Sequence, residues 1–168
     1  MSVTLRPGRV ADIFRLQEIE RAAAELFRGS ELIDVDAMSV IAMGGHIVSI
    51  DEGMSLVAEE AGRVAGFIIG EIHDHDAYLR ELDVDPAFQK RGIGAKLVHA
   101  FAETAHAKGA RCVYLSTFRM PPWNAPFYRK LGFRDVEQTD YLPWMAAIAA
   151  EQAAFLDMNT RVFMRLAL

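Results

Sequence analysis

Cysteine is nearly absent from this sequence: Cys112 is the only one among 168 residues. A disulfide within the chain therefore cannot form, and because Cys112 lies in an apolar run we expect it to be a buried small hydrophobic residue. Positive charge is also scarce, since 18 lysines and arginines stand against 23 acidic residues and give a net charge of −5. Without a basic stripe, no sequence-independent binding of nucleic acid is expected.

Long apolar runs are missing as well. No run reaches the length that spans a membrane, and the first residues contain no hydrophobic region of the kind found in signal peptides. We therefore expect no membrane partner and a cytoplasmic location.

Apolar residues, by contrast, are abundant and make up 52% of the chain. A length of 168 residues suits one domain, so residues 1–168 are predicted to form a single domain with its own core. The apolar content is on the high side for a soluble monomer and is compatible with a homodimer.

The most informative stretch of the sequence is residues 82–95, where an apolar strand gives way to a helix. Pro86 stops strand pairing because it has no N–H to donate. A helix is predicted from Gly92 or Ile93, with apolar residues at every fourth position. Glycines at the start of a helix allow a ligand close to the free backbone N–H groups, and Lys90 and Arg91 add positive charge. The stretch predicts a cradle for a phosphate or pyrophosphate.

Two common phosphate loops do not fit this stretch. A dinucleotide fingerprint requires a third glycine where the chain has Leu97, and a P-loop requires Gly-Lys-Ser or Gly-Lys-Thr where the chain has Ala95-Lys96-Leu97. The remaining alternative to a functional cradle is a glycine-rich turn before an ordinary helix.

The stretch resembles the acyl-CoA signature of the GNAT superfamily of N-acetyltransferases, Gln/Arg-x-x-Gly-x-Gly/Ala. Residues 89–94 fill each position of it, as Gln89-Lys90-Arg91-Gly92-Ile93-Gly94. Two further motifs are similar to that family and occur in the same order, namely Leu82-x-Val84-x-Pro86 upstream and Phe127-Tyr128-x-x-Leu131-Gly132-Phe133 downstream. The resemblance implies an α/β fold with a twisted mixed sheet of about six or seven strands and helices on both faces.

The pattern along the chain is consistent with such a sheet. Strands are predicted at residues 3–6, 54–60, 64–72, 78–84, 111–117, 133–136 and 161–168, and helices at residues 10–27, 92–108 and 124–131. Because a helix joins them, strands 78–84 and 111–117 should run parallel. Within residues 31–53, Asp36 is predicted to cap a short helix that ends at Gly44-Gly45, which leaves His46 in a solvated loop.

Two further segments carry open alternatives. The His73–Asp76 run is interpreted as a solvated hairpin turn and not as a metal site, so no metal is predicted. Residues 140–159 hold many large apolar side chains, and Pro143 suits the first turn of a helix. Either this helix walls the acceptor pocket with Tyr141 and Trp144, or it serves only core packing.

The resemblance also implies where acetyl-CoA, the co-substrate, would bind. The backbone of Leu82 and Val84 would pair with the pantetheine arm, and the Val84 N–H would polarise the thioester carbonyl. The predicted cofactor-binding residues are Leu82, Asp83, Val84, Gln89, Lys90, Arg91, Gly92, Ile93, Gly94, Ala95, Asn124 and Phe127. Asn124 is also interpreted as a helix cap, because many family members carry an asparagine at the position of Pro121 instead.

The same resemblance assigns catalytic roles. Tyr128 matches the tyrosine that protonates the departing thiolate. Glu81 is predicted to be the general base, with Glu71 or an ordered water as alternatives. The predicted activity is direct acetyl transfer to a primary amine of a small molecule or peptide. The alternative is a catalytically silent acyl-CoA-binding module that acts as a sensor or regulator, and the acceptor's identity is left open.

Overall fold

The computed structural model describes residues 2–168 and contains one seven-stranded sheet. Its strands are β1 (Thr4–Pro7), β2 (Ser55–Glu60), β3 (Arg63–His73), β4 (Asp76–Val84), β5 (Cys112–Phe118), β6 (Arg134–Val136) and β7 (Arg161–Ala167). The helices are α1 (Ile13–Ala24), α2 (Met43–Asp51), α3 (Ile93–Ala107), α4 (Ala125–Lys130) and α5 (Pro143–Gln152). The spatial order is β1-β2-β3-β4-β5-β7-β6. The predicted α/β fold with a mixed sheet is thereby confirmed.

All neighbouring strands run antiparallel except β4 and β5, which are parallel as predicted. The β4–β5 connection passes through α3, whose Leu97 and Phe101 are fully buried against the sheet. Among residues 2–168, no helix has both the length and the apolarity that a membrane crossing requires.

The two faces of the sheet bury different sets of residues, because side chains alternate along each strand. On one face, α3 covers a large core that includes Ile68, Leu79 and Leu115. On the opposite face, α1 covers Phe67 and Ile69 together with neighbours from its own apolar stripe. Further along that face, α5 covers a smaller cluster around Tyr78, Tyr114 and Phe163. The gap between the α1 and α5 clusters lies over the end of β4.

A β-bulge interrupts β4 at Arg80. Ile69 pairs with Glu81 and Gly70 pairs with Leu79, so Arg80 has no partner on β3. Only a glycine fits opposite this bulge, because a Cβ at position 70 would lie 2.2 Å from the Tyr78 carbonyl oxygen and 2.5 Å from Cζ of Phe101. The bulge reverses the alternation of β4 and turns Glu81 and Asp83 onto the same face as Tyr78.

Residues 31–53 differ from the prediction. The helix does not end at Gly44-Gly45 but begins at Met43 and includes both glycines. His46 is not a solvated loop residue: it is 0% exposed and lies 5.8 Å, ring centroid to ring centroid, from Phe67. Tertiary packing of His46 and Ser49 therefore outweighs the low helix propensity of glycine. Burial lowers the pKa of His46, and neither ring nitrogen has a hydrogen-bond partner within residues 2–168.

Gly70→Ala should destabilise the protein by about 1–3 kcal/mol, because the new methyl group overlaps a backbone oxygen and a core ring. Gly44→Ala is the matched control, since Gly44 is exposed on α2 and a Cβ there meets nothing within 4 Å. Urea unfolding of both variants measures the difference. Equal unfolding free energies for Gly70→Ala and the original protein would show that the bulge does not depend on this glycine.

Candidate active site

The candidate site is the opening that forms where β4 and β5 separate. The two strands pair only from Asp76–Cys112 to Tyr78–Tyr114, although β4 continues to Val84 and β5 to Phe118. Throughout its length β5 stays paired with β7 on its other side. The second half of β4 therefore presents an unpaired backbone edge to the opening.

The groups on this edge belong to Leu82 and Val84. Asp85 donates its N–H to Ala65 on β3 at 2.9 Å, and strand alternation then directs the backbone of Leu82 and Val84 away from β3 and into the opening. The Val84 carbonyl oxygen accepts a hydrogen bond from Nε2 of Gln89 at 3.0 Å. Within residues 2–168 no strand pairs with the Val84 N–H on this edge.

The turn from Gln89 to Ala95 leads into α3 and forms a cradle of free donors. Within residues 2–168, none of its backbone N–H groups donates a hydrogen bond to another protein atom. Gly92 precedes the helix with φ +75°, in the left-handed region that favours glycine. A Cβ on Gly94 would point towards Phe127, 3.4 Å away, and towards Leu82 and Val84, both 4.0 Å away. Gly94 thus keeps open the space between the cradle and the β4 edge.

The two cations of the cradle differ in their surroundings. Arg91 pairs with Glu60, with Nη1 to Oε2 at 2.9 Å, and also donates to the Ala87 carbonyl oxygen. Lys90 is exposed and forms no ion pair within the described chain. Among the described residues, Lys90 is therefore the cradle cation without an acidic partner, whereas Arg91 links the cradle to Glu60 on β2.

Three carboxyl groups lie on the opposite side of β4, facing α1. Glu81 and Asp83 come from β4, and Glu20 comes from the buried stripe of α1, where it is 6% exposed. Burial raises the pKa of Glu81 to about 7, although Arg161, the Leu82 N–H and Arg80 act against the rise. Burial and the charges of Glu81 and Glu20 raise the pKa of Asp83 well above its usual range.

The three carboxyl groups of this cluster lack the arginine partners that several other shielded carboxylates of the described chain have. Four other shielded carboxylates each contact an arginine within 4.0 Å. The pairs are Asp12–Arg6, Glu60–Arg91, Glu71–Arg80 and Asp85–Arg15. Within residues 2–168, Glu20, Glu81 and Asp83 have no such contact. No arginine therefore neutralises the cluster directly, and burial favours its protonated forms.

Tyr128 and Arg161 complete the site. The Tyr128 side chain is only 7% exposed, and burial together with the charges of Glu81 and Asp83 raises its pKa above the usual range. Its hydroxyl stays protonated at neutral pH and has no hydrogen-bond partner among residues 2–168. Arg161 donates to the carbonyl oxygen and hydroxyl of Ser116 at 3.0 and 3.2 Å, and its guanidinium lies 4.5 Å from the centre of the Phe118 ring.

Comparison with known proteins identifies the family. A model of the acetyltransferase (GNAT) domain matches residues 51–135, just over half of the chain and the whole of the opening's β4 side and cradle. The chain belongs to the GNAT acetyltransferase family. Membership supports acyl transfer as the activity, and acetyl-CoA is the co-substrate of this family.

A curated relative of this GNAT chain is an uncharacterized N-acetyltransferase of Methanocaldococcus jannaschii, 34% identical over 94 residues. The match covers 52% of the GNAT chain and 42% of that relative, so the chain spans less than half of the relative's length.

Solved structures share the GNAT fold at low identity. The PaiA N-acetyltransferase from Thermoplasma acidophilum, in complex with coenzyme A, has a TM-score of 0.70 at 20% identity and full coverage of both chains. A ribosomal-protein-alanine N-acetyltransferase from Brucella melitensis has a TM-score of 0.69 at 18% identity, covering 98% of this chain and 99% of its own. N-acetylglutamate synthase from Neisseria gonorrhoeae, complexed with coenzyme A and N-acetyl-glutamate, has a TM-score of 0.74 at 14% identity, covering this whole chain and 35% of its own.

Most residues predicted for the GNAT site lie around the opening. Some of them face it with the backbone and others with the side chain. Ile93 is 2% exposed and belongs to the core under α3, so only its backbone is available. Asn124 occupies the position before α4 without capping it by its side chain. Its Nδ2 instead donates to Oγ1 of Thr117 at 2.9 Å, while its Oδ1 is buried without a partner in the described chain.

Glu71, the alternative base, is already engaged. Arg80 Nη2 contacts both of its carboxylate oxygens, at 2.7 and 2.8 Å, and His73 Nε2 lies 2.9 Å from Oε1. Burial alone would raise the pKa of Glu71, but the hydrogen bonds from Arg80 and His73 outweigh it and lower that pKa. A carboxylate held in this way is a weak proton acceptor.

The His73–Asp76 run and the 140–159 segment meet each other. The His73 ring stacks on Trp144 at 4.6 Å between centroids, and Trp144 also packs edge-on against Tyr78 and Tyr114. His75 and Asp74 are exposed. Among the described residues, no group of three or more His, Cys, Asp and Glu side chains is arranged to hold a metal ion.

The C-terminal end of α5, and not the N-terminal end that carries Trp144, reaches the opening. Gln152 Oε1 accepts a hydrogen bond from the Ser116 hydroxyl at 2.8 Å, whereas Tyr141 packs on Phe163. These contacts favour the packing interpretation of Tyr141 and Trp144.

Sequence reasoning missed Glu20, Arg161, Ser116 and Gln152. Only Glu20 carried a signal: it stands four residues after Leu16, on the apolar stripe of α1, where a glutamate is unexpected. The other three lie far apart in sequence and meet only through the β5–β7 pairing and the packing of α5.

Proposed function

We propose that the protein transfers an acetyl group from acetyl-CoA directly to a primary amine, with both substrates bound together. The observation that carries this proposal is the alternation of β4 after its bulge. Leu82 and Val84 direct their backbone into the opening next to the cradle, while Glu81 and Asp83 direct their carboxyl groups to the other face. One strand thus separates a site for the acyl donor from a site for the amine.

The residues present fit coenzyme A. The free N–H groups of residues 89–95, at the positive end of α3, would bind the pyrophosphate, with Lys90 beside them. The backbone of Leu82 and Val84 would pair with the pantetheine arm as an added strand. The bound co-substrate supplies an activated acetyl thioester, and the Val84 N–H is the donor available to polarise its carbonyl.

Glu81 is the proposed general base. An amine attacks only as the neutral free base, so a proton must leave the incoming ammonium group. A carboxyl group with a pKa of about 7 is well matched to that transfer near neutral pH. Glu71 is disfavoured because its carboxylate is held by Arg80 and His73.

Tyr128 is the proposed general acid. Its hydroxyl is protonated and unpartnered within residues 2–168, and the charges of Glu81 and Asp83 help to raise its pKa. It can give its proton to the thiolate that departs after transfer. A silent acyl-CoA-binding module would need neither this hydroxyl nor a carboxyl group tuned near neutral pH, so both features favour the enzyme.

The acceptor is proposed to be a primary amine of a small molecule or a peptide. Release of free thiol from acetyl-CoA, measured with a panel of primary amines and a peptide with a free N-terminus, tests this. Coenzyme A binding without thiol release across the panel would instead favour the silent module.

Gly94→Trp should abolish coenzyme A binding while the protein stays folded. The indole would fill the space that now separates Gly94 from Phe127, Leu82 and Val84. Because a ligand of the native state raises the melting temperature, the shift caused by coenzyme A should vanish. Gly44→Trp, at an exposed position of α2, is the control and should keep the shift. Undiminished binding by a folded Gly94→Trp protein would contradict the assigned cradle.

Glu81→Gln should lower turnover by roughly 100-fold, because the amide cannot accept the proton. The original enzyme should lose activity as pH falls below about 7, where the Glu81 carboxylate becomes protonated. The residual activity of Glu81→Gln should not fall over the same pH range. Glu71→Gln is the matched control, and its activity should still fall below about pH 7. A pH profile that Glu71→Gln changes and Glu81→Gln does not would reverse the assignment.

Tyr128→Phe should reduce turnover with little effect on the affinity for acetyl-CoA, since the hydroxyl acts on a charge that appears only in the transition state. Steady-state kinetics, under conditions where chemistry limits the rate, would measure the effect on turnover separately from the effect on acetyl-CoA affinity. Unchanged turnover would mean that another donor or solvent protonates the thiolate.

A further inference from the structure

Glu20 is a buried carboxyl group that the proposed reaction does not use. Both of its oxygens accept the backbone N–H of Ile41, at 3.0 and 3.1 Å. One turn earlier on α1, Nε2 of Gln17 donates to the Ile41 carbonyl oxygen at 2.9 Å. Two side chains of α1 therefore hold both backbone groups of a single residue across 21 to 24 positions of sequence.

The segment between α1 and α2, residues 28–42, is anchored at two places by these and neighbouring contacts. At its start, Phe27 packs against Phe118 at the end of β5 and against Trp123, with ring centroids 5.4 and 5.8 Å apart. At its far end, Ile41 packs on the cluster of Phe67 and Ile69 beneath α1. Because one anchor lies on β5 and the other beside β3, the two ends of the segment lie on either side of β4, on the face on which the amine site was placed.

Glu20 lies on the buried stripe of α1, and α1 packs on β4, to whose α1-facing side the Glu81 carboxyl group is turned. Burial and the negative charge of Glu81 raise its pKa, whereas the Ile41 N–H and Arg21 act against the rise. When Glu81 loses its charge by taking a proton, Glu20 ionises more readily. An ionised carboxylate is a stronger hydrogen-bond acceptor than a neutral acid, so the bond to Ile41 should strengthen.

We propose that Glu20 is a positioning residue: by holding Ile41 it fixes residues 28–42 over the amine site, and it tightens this hold when Glu81 takes up a proton. This inference rests on the proposed function, in which Glu81 faces the acceptor. In the reaction, one proton passes from the incoming ammonium to Glu81, and the segment is then held most firmly while the neutral amine attacks.

Hydrogen exchange of the Ile41 amide tests the hold without any acceptor. Glu20→Ala should speed this exchange about tenfold at constant pH, because the acceptor of the hydrogen bond is lost. Glu20→Gln should have a smaller effect, since its amide oxygen can still accept the N–H. Glu18→Gln is the matched control, because Glu18 is an exposed glutamate of the same helix, and it should leave the Ile41 amide unchanged.

Glu81→Gln tests the coupling, which a merely structural role of Glu20 would not produce. Removing the charge at position 81 should slow exchange of the Ile41 amide several-fold at pH 7.5, and this slowing should be absent when Glu20→Gln is combined with it. Exchange at Ile41 that is the same in Glu81→Gln and in the original protein would overturn the coupling. Unchanged exchange in Glu20→Ala would overturn the hold itself.

The same variants separate this inference from the proposed function. With an amine that is turned over, Glu20→Ala should raise the acceptor KM about tenfold and leave the KM for acetyl-CoA within about twofold. If Glu81→Gln retains full turnover, the proposed base is wrong, whatever Glu20 does. If Glu81→Gln is inactive but the Glu20 variants match the original protein in Ile41 exchange and in acceptor KM, the inference about Glu20 alone fails.

Discussion

The separation of β4 from β5 after the Tyr78–Tyr114 pair is the constraint on which the site depends. A strand in the middle of a sheet ordinarily has both edges paired, and unpaired backbone groups inside a protein are costly. Here β5 remains bound to β7 while β4 follows β3, so among residues 2–168 no strand pairs with the edge at Leu82 and Val84. That edge is suited to an extended ligand, and the cradle at the start of α3 lies beside it.

The bulge at Arg80 gives the same strand its second role. Without the extra residue, the alternation of β4 would place positions 81 and 83 on the α3 face, in the apolar core. With it, Glu81 and Asp83 face α1, and Leu82 and Val84 pack towards α3. Gly70 makes the bulge feasible, since a side chain there would collide with the Tyr78 carbonyl oxygen. A glycine on β3 therefore determines the direction of an acid on β4.

The shielded carboxylates of this protein fall into two groups, those that pair with an arginine and those that do not. Those that brace the fold each contact an arginine, whereas Glu20, Glu81 and Asp83 have no ion pair among the described residues. Burial raises the pKa of all three, and the charge of Glu81 raises those of Glu20 and Asp83 further. Buried like charges cost stability unless protons or a cation neutralise them. A carboxyl cluster thus lies beside the opening, and hydrogen bonds from Ile41 to Glu20 connect it to the end of the segment 28–42.

The sequence by itself predicted the family, the parallel direction of β4 and β5 and a turn of free N–H groups at residues 89–95, because these depend on local patterns: apolar alternation, a proline stop and glycines before a helix. It also pointed to Tyr128 and Glu81 through resemblance, and their roles stay predictions. Only the tertiary structure decided that Glu71 is engaged by Arg80, that His46 is buried in a helix begun at Met43, and that Glu20 lies beside Glu81. These features arise from contacts between residues that are distant in sequence, and such contacts leave no signal in the local sequence pattern.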